Sequence, residues 1–60
     1  MKTKKLTITK EDFGKTIRDI LIDLEISPEI VLVKINNNFI PISTIIRKET
    51  KLEILEVIKN

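Results

Sequence analysis

Between Thr16 and Pro41 the chain reads as one amphipathic helix, then an aliphatic strand, an asparagine turn and a second strand. Few small folds put a helix directly ahead of a hairpin at such short spacing, so this segment constrains the architecture most. Thr16 is placed to accept from the amides of the first helical turn, and Asp19 sets a carboxylate near the positive end. Ile17, Ile20, Leu21 and Leu24 follow at i, i+3, i+4 and i+7 and form the apolar stripe expected of a helix packed on a sheet. Arg18, Asp19 and Asp23 fall outside that stripe. Pro28 disfavours helical geometry at Ser27, so the spacing predicts a helix that ends near Glu25 or Ile26, a rod of roughly 15 Å.

Ile30 to Ile35 is aliphatic and rich in β-branched residues, which predicts a central strand. In Asn36-Asn37-Asn38 the chain has the non-glycine residue most tolerant of positive φ, as a hairpin turn needs. Phe39-Ile40 resumes the extended run, and Pro41, lacking an amide donor, marks an edge or an exit. Arg47-Lys48-Glu49-Thr50 reads as a polar turn after Ile45 and Ile46. The last strand starts at Leu52 and shifts phase after Ile54, so apolar residues fall on both of its faces. At the front, Leu6 and Ile8 alternate with Lys5, Thr7 and Thr9 as a half-buried strand.

The run Gly14-Lys15-Thr16-Ile17-Arg18-Asp19-Ile20-Leu21 resembles the segment that opens the helix of the ubiquitin-like sulfur carriers of thiamin and molybdopterin synthesis (ThiS and MoaD). Ile26-Ser27-Pro28-Glu29 is similar to the loop that follows in that family. Val31 to Pro41 resembles its strand, Asn-Gly turn and strand, and Leu52 to Val57 its final strand. The resemblance implies an α+β, β-grasp domain spanning residues 1–60: two strands, a helix, then more strands, with a mixed sheet of about four strands on one helix. It implies as partner an adenylating enzyme or a sulfur-transfer protein. Three positions depart from the family. Asn36-Asn37 stands for Asn-Gly, Glu25 replaces a helix-stopping glycine and leaves Pro28 as the main stop, and Lys59-Asn60 occupies the place of the terminal Gly-Gly. Activation draws that unhindered end into a narrow channel, so the expectation is a homologue that is not activated. Lys34-Ile35-Asn36 and Ile40-Pro41 also resemble TGS domains, which share the fold and sit within RNA-linked proteins.

Sixty residues make one domain near the lower limit for a self-sufficient core, and no cysteine is present to staple it. The absence of histidine and cysteine removes the usual general base and thiolate nucleophile, and Ser27 and Ser43 have no activating partner. The expectation is no enzyme and no cofactor. Asp19 and Asp23 lie one turn apart, but two carboxylates alone make a poor cation site, and they read as a solvated face. No run approaches a membrane span and no signal-type segment follows Met1-Lys2-Thr3-Lys4-Lys5, so a cytoplasmic protein is expected.

The formal net charge is +2, with Lys2, Lys4, Lys5 and Lys10 at the front and Arg47, Lys48 and Lys51 near the last turn. With only Phe13 and Phe39 as aromatic platforms, nucleic-acid binding is disfavoured, and the front lysines read as guards of an edge strand. If Val31, Val33 and Ile35 face the helix, then Leu32 and Lys34 face away. Leu52 and Ile54 inward would likewise place Leu55 and Val57 outward. Leu32, Lys34, Leu55 and Val57 thus form the candidate partner-binding patch, open to a second protein or to self-association.

Overall fold

The computed structural model describes residues 2–57. Strand β1 (Lys2–Ile8) leads through a 3-10 turn at Lys10–Asp12 into helix α1 (Ile17–Asp23). A second 3-10 turn, Pro28–Ile30, precedes β2 (Val31–Ile35), β3 (Asn38–Phe39) and β4 (Thr50–Glu56). The four strands form one sheet in the order β1-β4-β2-β3. It is a small α+β fold, with the helix on one face and the last strand in the interior of the sheet.

Every pairing among the described strands is antiparallel, which corrects the expected mixed sheet. The reason is that one strand, not two, precedes the helix. A hairpin there would reverse the chain before α1, whereas a single strand enters in the opposite sense. It therefore lies antiparallel to β4, with Lys4 opposite Ile54 and Leu6 opposite Leu52.

The core is wholly aliphatic: Ile8, Ile17, Ile20, Leu21, Val31, Val33, Ile46, Leu52 and Ile54 are buried, while both phenylalanines are exposed. Each such side chain contributes ~1.5–3 kcal/mol when fully buried, which is how a chain of this size holds together without a staple. The alternation in β2 and β4 is as the sequence predicts, with Val31 and Val33 buried around exposed Leu32, and Leu52 and Ile54 buried around half-buried Glu53. The strand begins at Val31 rather than Ile30, which closes the 3-10 turn and is half-exposed.

Both ends of α1 are closed within the chain, the first by one side chain and two backbone carbonyls and the last by the backbone. The Thr16 hydroxyl accepts from the Asp19 amide at 3.1 Å. The Ile17 and Arg18 amides donate to the carbonyls of Thr44 and Ile42 at 3.0 and 2.9 Å. Three of the otherwise orphaned donors of the first turn, those of Ile17, Arg18 and Asp19, are thereby satisfied within the chain. The same segment is tied further by Gly14 N–H to Ile46 C=O at 2.8 Å and Ile46 N–H to Lys15 C=O at 2.9 Å. Gly14 has φ +90°, a conformation that a side chain would strain.

At the other end the helix stops earlier than expected, with Leu24 as its cap and seven residues spanning about 10 Å. Leu24 is consequently 48 % exposed instead of completing the apolar stripe, because the chain turns away beneath it. Glu25, at φ 61°, supplies the turn. Its amide donates to Ile22 and that of Ile26 to Leu21, both at 2.9 Å, a pair of bonds that fulfils the orphan carbonyls. The stop is thus Glu25 itself, and Pro28 instead opens the next 3-10 turn. Among the described residues no helix is long and apolar enough to cross a membrane.

Candidate functional site: the open sheet face

Directly paired residues share a face of the sheet, so the register assigns what lies opposite the helix. Leu32 stands opposite Leu55, and Leu55 opposite Thr3 on its other side. The next row outward reads Lys5, Glu53, Lys34, Phe39, and the row after it Thr7 and Lys51. Leu32 is 47 % exposed and Leu55 half-buried. Val57, just past β4, is exposed and donates its amide to the Ile30 carbonyl at 2.7 Å, which brings the exposed Ile30 to the same corner. Leu32, Lys34 and Leu55 thus share the open face, and Val57 stands at its corner beside Ile30. Lys59 and Asn60, the tail at the family's Gly-Gly position, lie outside the described residues.

The polar row is ordered by charge. Lys34 Nζ lies 3.9 Å from a Glu53 carboxylate oxygen and 5.3 Å from the centroid of the Phe39 ring. Its stem covers the sheet while its charge bridges an anion and an aromatic face. Three lysines (Lys5, Lys34, Lys51) and one carboxylate (Glu53) give this face a positive sign. With Asn36 and Asn37 these residues border a depression of about 210 Å³. Phe39, 62 % exposed, is the member that sequence reasoning left off the face, although its place two residues past the asparagine turn carried the signal.

The remaining charges are dispersed. Lys4 and Lys5 stand on edge strand β1, in keeping with a guarded edge, whereas Lys10 lies in the first 3-10 turn. Arg47 and Lys48 rim a cavity of about 310 Å³ whose walls are Ile35, Ile45 and Ile46, at the end of the sheet. Asp23 is held by Lys15, whose Nζ lies 3.2 Å from it and 3.3 Å from Asp12. These two carboxylates, Asp23 first, raise the Lys15 pKa above its ordinary value. Among the described residues no side-chain N or O is buried without a partner.

Comparison with known protein families, with curated proteins and with solved structures gives no match.

Proposed function

We propose that this chain is a non-catalytic, ubiquitin-like β-grasp module that docks on a protein partner through its open sheet face. The observation that carries the reading is the Leu32–Leu55 pair, half in water on the sheet face opposite the helix. The β-grasp assignment is supported by the helix-then-hairpin order and by a last strand set between the first strand and that hairpin. A chain without histidine or cysteine supports a binding role over catalysis. The partner has an apolar centre rimmed by carboxylates, to meet Leu32, Leu55 and Val57 flanked by Lys5, Lys34 and Lys51. Two copies of the same positive face would repel. An adenylating enzyme of the sulfur-carrier class is the candidate that the sequence resemblance supplies.

Titration of the isotopically labelled chain with such an enzyme tests the reading. Saturable binding with shifts at Leu32, Lys34, Leu55 and Val57 is expected, lost in the Leu32→Ser/Leu55→Ser variant while its fold is kept. Absence of binding, or binding indifferent to the double substitution, refutes it.

Phe39 favours a second reading, in which the same face holds single-stranded RNA. An exposed ring beside Lys34, on a face that also carries Lys5, Lys51 and two asparagines, offers stacking and phosphate contacts together. Fluorescence anisotropy with oligouridine separates the two. RNA binding would weaken steeply with salt and with Phe39→Ala, whereas protein docking would depend on Leu32 and Leu55.

A further inference from the structure

Strand β1 pairs only with β4, so one side of a seven-residue strand faces no other strand among the described residues. Beside that edge, on the helix side of the sheet, is a notch of about 230 Å³ bordered by Lys4, Lys5, Leu6, Leu24, Ile26 and Ile54. Lysines alone would suffice to keep sheet edges apart. They leave unexplained an apolar notch at the edge and a Leu24 that is 48 % exposed over it. We propose that this edge and notch together take an extended peptide, aliphatic on one side and acidic on the other, as a fifth strand.

The chemistry of the peptide follows from alternation. Side chains of a strand added beside β1 point in turn to the helix side and to the open side. Those on the helix side come level with Lys4 and Leu6 and enter the notch against Leu24 and Ile26, which calls for an aliphatic group. Those on the open side come level with Lys5 and call for a carboxylate. Glu53, cross-strand from Lys5, is within ion-pair reach of Lys34. Neither Lys4 nor Lys5 has an ion pair among the described residues. Two carboxylates oppose an acidic peptide: Glu53, cross-strand from Lys5 but shared with Lys34, and the exposed Glu25 next to Leu24, which limits how far the acidic pattern extends toward the helix end. A second copy of β1 makes a poorer strand, because it brings further lysines and no carboxylate to an edge that already carries Lys4 and Lys5. Main-chain bonds would supply affinity and the notch selectivity, a mode distinct from docking on the open face.

The test uses the whole chain, isotopically labelled, and an acetylated, amidated eight-residue peptide alternating valine with glutamate. Expected are saturable shifts and slowed amide exchange between Thr3 and Ile8, with affinity falling about tenfold or more in Leu24→Glu and in Lys5→Glu. A peptide carrying lysine for glutamate should fail to bind. So should one N-methylated at every second residue, which keeps the side chains and removes donors along one edge. Equal binding by the N-methylated peptide, shifts centred on Leu32 and Leu55, or no saturation at millimolar peptide overturns the proposal. Leu32→Ser/Leu55→Ser should leave this binding intact, so its failure and that of the open-face reading are distinguishable.

Discussion

The Ile26 amide donates to the Leu21 carbonyl at 2.9 Å, and that bond closes α1 over a glutamate in left-handed conformation. A side chain at φ 61° costs roughly 1–2 kcal/mol relative to the right-handed region, a penalty that glycine escapes. Glu25 is exposed, so its side chain offers little packing in return.

Glu25→Gly should therefore stabilise the chain by about 1 kcal/mol, less what glycine gains in the unfolded state. In a domain this small that corresponds to several degrees in Tm, readable by thermal circular dichroism. A lower Tm would show that the glutamate makes a contribution unrelated to the helix stop.

The two faces of the sheet should respond in opposite ways to truncation. Leu21 and Leu52 are fully buried, and Leu21→Ala or Leu52→Ala should each cost about 2–5 kcal/mol. Val33→Ala, also buried, should follow at a smaller cost because less volume is removed. A 60-residue domain commands only about 3–9 kcal/mol in total, so the leucine variants should be largely unfolded near room temperature. Leu32→Ser and Leu55→Ser remove a cross-strand pair worth about 0.2–1 kcal/mol and should still melt cooperatively. Comparable losses on both faces would contradict the assigned register.

What the sequence made legible is what neighbours along the chain decide. Thr16 before a stripe of Ile17, Ile20 and Leu21 marks a helix start, and the alternation of Leu52, Glu53 and Ile54 marks an inward face, whereas the aliphatic run Val31-Leu32-Val33 is apolar on both faces and its inward side follows only once the helix is placed. Leu55 and Val57 follow from the alternation of the last strand, and Leu32 and Lys34 from setting Val31, Val33 and Ile35 toward the helix. Strand direction is different, because the antiparallel entry of β1 depends on how many strands precede the helix. The loop from Ile42 to Ile46 shows no period, yet its carbonyls satisfy the first turn of α1 and its Ile46 enters the core. Glu25 stands at the position of a helix-stopping glycine, but glutamate carries no signal for positive φ, so the sequence points to Pro28 as the stop instead. The notch beside β1 could not be read at all, since it exists only where Leu24 and Ile26 hang over Lys4 and Leu6.

The asparagine turn offers a gain of the same origin as Glu25. Asn36 and Asn37 have φ 51° and 66°, consecutive positive values of the kind that close two-residue hairpins with the twist of the strands. Ile35 pairs with Asn38 across them. Asn37→Gly should raise stability by a few tenths to about 1 kcal/mol, and Asn37→Val should lower it by more, since a β-branched residue resists this region. Chemical denaturation with an unchanged m-value would locate the effect in the turn rather than in a loosened unfolded state. Equal stability of the glycine and valine variants would contradict the turn geometry.

Lys15 gives the chain a pH dependence whose sign is fixed by its partners. Asp23, and then Asp12, hold its ammonium by hydrogen bonds and raise its pKa above 10.5 in the folded state. A folded pKa above the unfolded one means the native state keeps the proton longer. The stabilisation is then complete below pH 10.5 and is lost as pH rises through the folded value. The group is exposed, so salt should weaken the effect as well. Following the Lys15 side-chain carbon next to Nζ by NMR should give a midpoint above 10.5, moving down in Asp23→Asn and less in Asp12→Asn. In Lys15→Gln that part of the alkaline loss of stability should vanish while the neutral-pH fold persists. A midpoint unmoved by either aspartate substitution would show that the two ion pairs do not hold Lys15 in solution.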